Sequence, residues 1–214
     1  MNKSSTITGV LGLFIGLLVG TFFLATDNSN DAPADTAQTA ETEDAPVQWK
    51  MASSFASTLI VAGTSGKYVE ERVRTLSDGN MELRYFDPGA LVPALEIFDA
   101  VSAGAVNAGW TNSGYWAGKV PALQFFAAVP FGARAGESLA WMYHGGGLEL
   151  MQEIYAGHNI YSMPCQISAP EGSGWFRYEI TSLGELKGLK MRFFGLGAKV
   201  MEKLGVSTQL IAPG

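Results

Sequence analysis

From Val47 onward the chain alternates between two periods, and that alternation limits the folds open to it. Short β-branched and apolar runs with period 2 are separated by segments whose apolar residues recur every three or four positions. Strands are expected over 47–53, 81–86, 105–111, 125–129 and 159–167. The segment 58–76 places Ala62, Gly66, Val69, Val73 and Leu76 at spacings of four and three, which makes it an amphipathic helix. Helices also read over 93–103, with Leu95, Phe98 and Val101 inward, and over 136–143 and 148–156, broken by Gly145-Gly146-Gly147. Asp78-Gly79-Asn80 and Asp87-Pro88-Gly89 punctuate the first half as turns, and 113–119 reads as a loop or helical turn. Later, Trp175, Phe176, Tyr178 and Ile180 suggest a short strand. Ser182 and Glu185 then have capping-box spacing for a brief helix that Gly188 ends. The run 189–194 reads as a buried strand with one charge, Arg192, followed by a helix opened by Gly195 and Gly197, closed by Gly205, and a strand over 208–211. Strands alternating with helices imply an α/β fold with a parallel sheet covered on both faces. In such sheets ligands sit beyond the carboxyl ends of the strands.

The first 46 residues have a different character. Residues 7–25 form an uncharged apolar run preceded only by Lys3, long enough to span a bilayer or to act as a secretory signal. A cut after Ala25 would put Phe23 where a small residue is wanted, so cleaved signal and retained anchor both stay open. Either one exports the remainder of the chain and associates this segment with the membrane before processing. Gly12, Gly16 and Gly20 form a small-xxx-small series that permits a helix dimer. Residues 26–46 carry six acids, no base and almost no large apolar side chain, and read as a flexible acidic linker. Beyond it, 14 acids meet 13 bases, so the folded part is near neutral and has no nucleic-acid footprint. The single cysteine, Cys165, excludes an internal disulfide and reads as a small buried filler.

Several side chains could hold a ligand. Arg192 lies among Met191, Phe193 and Phe194, where a cation is costly to bury unless an anion meets it. Its guanidinium matches a carboxylate through two parallel hydrogen bonds; the bland alternative is an ion pair with Glu171 or Glu179. Arg177 competes with it, on a face shared with Glu179. Glu171 and Trp175 flank Gly172 and Gly174, which permit close backbone approach. Asn112 and Tyr115 follow the 105–111 strand at its carboxyl end and are neutral groups that could orient a polar ligand, against plain turn and packing roles. Phe55, after the first strand, could add an apolar wall. Three patterns lead nowhere. His144-Gly145-Gly146-Gly147 resembles an oxyanion-hole loop, but no G-x-S-x-G elbow accompanies it. Gly63-Thr64-Ser65-Gly66-Lys67 lacks phosphate-loop spacing. His144 and His158 have no zinc-ligand spacing to other residues.

Gly174-Trp175-Phe176-Arg177, Leu186-Lys187-Gly188-Leu189-Lys190-Met191-Arg192 and Leu204-Gly205-Val206 together resemble the solute-binding proteins of TRAP transporters, the DctP family. The likeness is to the branch that takes keto acids and related small carboxylates. Pro88-Gly89, the run from Gly104 to Gly109 and Tyr115-Trp116-Ala117-Gly118-Lys119 resemble it too. The resemblance implies a periplasmic-binding-protein-like fold with a first α/β lobe over 47–163 and the beginning of a second over 164–214. Family members continue past this length, so a C-terminally truncated sequence is expected. The resemblance further implies an exported, periplasmic, non-enzymatic protein that captures a small organic acid and delivers it to TRAP membrane permease subunits. It places the carboxylate-binding arginine at Arg192, and it implies no cofactor other than a metal cation such as sodium beside the ligand. Relatives often carry an amide near Glu171; a carboxylate there suits a cation and repels a bare substrate carboxylate. A membrane-anchored ligand-sensing or interaction domain is the alternative reading, and a periplasmic hydrolase would need a nucleophile–base pair that two histidines do not assemble.

Overall fold

The computed structural model describes residues 45–213, which lie in one compact unit. The apolar leader, its glycine series and the acidic linker through Asp44 lie outside the described residues. Among the described residues no helix is long and apolar enough to cross a membrane.

Among the described residues, five strands and five helices form the frame. Strand β1 (Val47–Ser53) leads to helix α1 (Ala62–Leu76), then β2 (Met81–Phe86), α2 (Ile97–Ser102) and β3 (Ala108–Trp110). Helices α3 (Ala135–His144) and α4 (Gly147–Ala156) come next, then β4 (Lys190–Arg192), α5 (Gly195–Lys203) and β5 (Ser207–Gln209). Strands β2, β1 and β3 form a three-stranded sheet in that order, and β4 pairs with β5 in a second sheet. Every pairing is parallel, in register Val47↔Met81, Met51↔Ala108 and Lys190↔Ser207 at the starts of the three ladders. Each parallel pair is joined by a connection containing a helix, as a strand–crossover–strand unit requires.

One face of β1–β2–β3 packs Met51, Leu83 and Trp110 against Val69 and Val73 of α1. The larger core gathers Ala52, Ile97, Phe98, Val106, Tyr115, Trp116, Leu123 and Tyr155. A smaller one, Leu186, Met201 and Val206, closes α5 over β4 and β5. Gly66 is needed where α1 crosses the sheet: a Cβ there would stand 2.3 Å from Cε2 of Tyr85.

Several boundaries move. Helix α1 starts at Ala62, not 58, because Val61 has φ +69°, which a helix cannot continue through. The 93–103 segment divides into a 3-10 turn, Ala94–Glu96, and α2. The expected strand at 125–129 is instead the end of a 3-10 stretch, Pro121–Phe126, that begins on a proline and buries Leu123 completely. The expected strands at 159–167 and 175–180 have no ladder. No backbone–backbone hydrogen bond involves residues 161–181 among the described residues. An extended run becomes a strand only when a neighbour accepts its hydrogen bonds.

At 182 the helix is a single 3-10 turn, Leu183–Leu186. The Glu185 carboxylate accepts from the Thr181 backbone N–H at 3.0 Å and the Thr181 hydroxyl at 2.8 Å, while Ser182 makes no side-chain cap. Those bonds, the backbone one first, hold the Glu185 carboxyl below its ordinary range. Cys165 is exposed, not buried, because its stretch of chain lies on the surface.

Candidate functional site

The carboxyl ends of β1 and β3 meet in a hydroxyl network. Ser53 and Ser54 stand side by side at the end of β1 and are 1 % and 0 % exposed. Ser53 Oγ shares a 2.6 Å hydrogen bond with the Tyr85 hydroxyl, and Tyr85 donates to the Phe55 carbonyl at 2.5 Å. Ser54 Oγ shares a 2.7 Å bond with Thr111 Oγ1 and donates to the Ala94 carbonyl at 3.2 Å. Buried hydroxyls fully engaged in this way hold a loop end rigid.

Past β3 the chain makes a 3-10 turn, Ser113–Trp116. Asn112 Oδ1 accepts from the Gly114 N–H at 2.9 Å and caps it. The turn buries Tyr115 and Trp116, and Trp116 Nε1 donates to the Leu95 carbonyl at 3.1 Å. Asn112 therefore performs turn chemistry at half-buried depth, and its amide Nδ2 has no hydrogen-bond acceptor among the described residues.

Tyr115 is the meeting point. Its ring lies 6.3 Å from Phe55 and 4.9 Å, edge-on at 75°, from Phe194. Gly114 makes this approach possible: a Cβ there would stand 2.8 Å from Phe194 Cε2. Burial pushes the Tyr115 hydroxyl above its ordinary pKa; the Arg192 guanidinium pulls it back down, and the Glu171 charge adds a smaller rise.

Arg192 ends β4. Its Nε donates to the Ile211 carbonyl at 2.8 Å, and its guanidinium carbon lies 5.9 Å from the Phe194 ring centre. The β4 segment is short and half-covered, and the Arg192 side chain is exposed rather than buried among its apolar neighbours. No ion pair joins it to Glu171 or Glu179 among the described residues. Arg192 is also close enough to the Tyr115 hydroxyl to act on it through a side-chain hydrogen bond and through its charge. Tyr115 and Arg192 are thus brought together, and the Glu171 charge is felt at the Tyr115 hydroxyl.

Trp175 is not: it is 103 % exposed and free of the aromatic group. Arg177 and Glu171 are exposed too, on the same unpaired stretch. Phe194 is the contact residue that sequence reasoning missed; only its place two residues after Arg192 could have flagged it. Gln124 is a second. It is 6 % exposed beside Gly195, and its Oε1 is buried with no donor among the described residues.

The arrangement offers a cation anchored by backbone at the mouth of an aromatic cluster, at the carboxyl ends of parallel strands. No group of three or more His, Cys, Asp or Glu converges among the described residues. Glu171 alone would supply one hard oxygen donor, so a bound cation would have to complete its shell from backbone and ligand oxygens.

Comparison with known proteins gives the family and the fold. The family profile for bacterial extracellular solute-binding proteins, family 7, DctP, matches residues 52–214. A monocarboxylate 2-oxoacid-binding periplasmic protein of Nostoc sp. (strain PCC 7120) is 44 % identical over 170 residues, covering 78 % of this chain and 46 % of that one. A TRAP transporter solute-binding protein of Bordetella bronchiseptica RB50, with copurified calcium and picolinate, aligns with TM-score 0.77 at 38 % identity, over 80 % of this chain and 51 % of that one. One from Pseudoalteromonas atlantica T6c, with bound sodium and pyruvate, aligns with TM-score 0.71 at 37 % identity, over 79 % of this chain and 51 % of that one. The chain thus spans about half the length of these relatives. With that match and the parallel, helix-crossed sheets, the chain belongs to the DctP family of bacterial extracellular solute-binding proteins.

Proposed function

We propose that this chain forms the first lobe and part of the second of a periplasmic protein that captures a small carboxylate, of the 2-oxo acid class, for a TRAP-type permease. The division falls near 163/164, between the two sheets. The observation that carries the reading is the placement of Arg192: a guanidinium fixed through Nε, beside a buried tyrosine hydroxyl, at strand carboxyl ends. The guanidinium pairs with the ligand carboxylate. Tyr115 and the free amide of Asn112 orient its far end from the first lobe. The relatives that bind monocarboxylate 2-oxoacids, or pyruvate with sodium, support this class of ligand.

Glu171 faces a cation bound with the acid, which relieves the repulsion between the two carboxylates. Trp175 closes over the ligand only when the two lobes approach, which accounts for its exposure here. Binding and release make and break no covalent bond. Export by the N-terminal apolar segment, cleaved or retained, places the protein in the periplasm. A second class of reading, an anchored sensing domain, would use the same pocket.

Titration calorimetry with pyruvate in sodium and in calcium buffers tests this. Arg192→Ala is expected to weaken binding by more than about 2 kcal/mol, the loss of a charge partner in a partly desolvated site. Unchanged affinity in the variant would remove Arg192 from the site. No binding of any short 2-oxo acid, under conditions where the chain is folded, would remove the ligand class.

A further inference from the structure

Strand β2 is the outer strand of its sheet, with β1 on one side and no strand on the other among the described residues. The Val47 N–H bonds the Asn80 carbonyl at 2.9 Å, which sets the phase of the ladder. By alternation, Glu82 and Arg84 turn their backbone groups to β1, while Met81, Leu83 and Tyr85 turn theirs outward. Ser77 confirms this phase: its hydroxyl accepts from the Met81 N–H at 3.0 Å and donates to the Met81 carbonyl at 3.2 Å. Met81 is thereby closed. The outward N–H and C=O of Leu83 and Tyr85 have no backbone partner among the described residues. A groove of about 570 Å³ runs along this edge, walled by Lys67, Tyr68, Glu71 and Arg74 of α1 and floored by Leu83. Tyr68, at 61 % exposure, is the kind of aromatic that proteins place in interfaces.

We propose that this edge is where a second copy of the chain pairs, antiparallel, about a two-fold axis at Leu83. The argument is charge complementarity. In that register Leu83 exchanges both backbone hydrogen bonds with Leu83 of the other copy. Glu82 then lies directly opposite Arg84, and Arg84 opposite Glu82. The sequence Glu82-Leu83-Arg84 is self-complementary in no other register that uses Leu83: centring on Arg84 would put two arginines face to face. Neither Glu82 nor Arg84 has an ion-pair partner among the described residues. Glu82 accepts only a long 3.4 Å bond from Gln48, and Arg84 lies 5.5 Å over the Phe86 ring. Charges on an outer strand ordinarily discourage pairing. Here they discourage every register but one. The axis also brings the two α1 helices side by side, groove to groove, as an isologous interface requires.

The test is sedimentation velocity on the 214-residue chain in mild detergent. The unaltered chain is expected to dimerise with rising concentration. Glu82→Arg alone and Arg84→Glu alone each set two like-charge pairs across the axis and should weaken dimerisation about tenfold or more. An equimolar mixture of the two variants restores both opposite-charge pairs and should dimerise again, which also shows that both fold. Amide exchange at Leu83 should slow as the dimer forms. A chain that stays monomeric at all concentrations, or single variants that dimerise unchanged, would overturn the proposal. So would a mixture of folded variants that fails to reassociate. A Leu83 amide protected only by an added extended peptide would assign the edge to a foreign strand instead.

Discussion

Among single residues, Tyr155 shows how burial alone alters chemistry, and Tyr115 how a neighbouring charge modifies it. Tyr155 packs in the larger core, and burial pushes its hydroxyl up to about 12. The folded state therefore holds this proton when the unfolded chain has lost it. Its contribution is fully present below about pH 10 and disappears as pH rises toward 12, on the order of 2 kcal/mol. Urea unfolding at pH 9 and pH 11 should show about half of that loss, and Tyr155→Phe should flatten it; an equal loss in the variant would assign the alkaline sensitivity elsewhere. Tyr115 is raised for the same reason, but Arg192 offsets part of the rise, so its hydroxyl reports on the guanidinium beside it. Arg192 itself illustrates what a sequence can mislead about. Its apolar neighbours in the chain suggested burial, yet in the short strand β4 the side chain alternates out to solvent and only its Nε is held.

Among the elements, most helices and the longer strands were legible and the short extended runs were not. Strands β1 and β2 fall on the expected residues, and α3 and α4 differ by one residue at their ends. Their periodicity is long enough to specify a face. The 125–129 and 159–167 runs were apolar but short, and such runs do not distinguish a strand from a tight helical turn or an irregular segment. Glycine positions in helices separate two effects that the sequence alone merges. Gly66→Ala adds helix propensity worth about 1 kcal/mol, but its Cβ meets a Tyr85 ring whose hydroxyl is tied to Ser53 and Phe55. A net loss of about 1–2 kcal/mol is expected. Gly136→Ala in α3 meets nothing within 4 Å and should gain a few tenths to about 1 kcal/mol. Thermal unfolding of the pair distinguishes packing from propensity; two shifts of the same sign would refute the contrast.

Across the whole molecule, the described residues join two sheets through a few contacts around Phe194. Its ring meets Tyr115 and the space left by Gly114, and the next residue, Gly195, approaches Gln124. Phe194→Ala is expected to cost roughly 2–4 kcal/mol. Hydrogen exchange should then quicken across β4, β5 and α5 more than across β1 to β3. Uniform quickening would show that the coupling is carried elsewhere. The same contacts explain why the candidate site was only partly readable. Asn112 and Tyr115 could be nominated because they lie just past the end of a strand, where ligands of parallel α/β sheets gather, and Arg192 because a cation among apolar neighbours calls for an anion and because the family resemblance marks it. That Phe194 would bring Arg192 and Tyr115 together, and that Trp175 would stand apart, could not be read.

The parallel α/β class and the longer strands and helices were readable from the residues in order, because period-2 and period-3.6 patterns and turn residues act within a few positions of the chain; the family was readable from the ordered motifs that resemble it. Which extended runs found a ladder, which apolar residues were covered and which polar groups met around Tyr115 emerged only once the chain was folded. Those outcomes depend on hydrogen bonds and packing between residues far apart in sequence, and each is settled by whether a partner arrives.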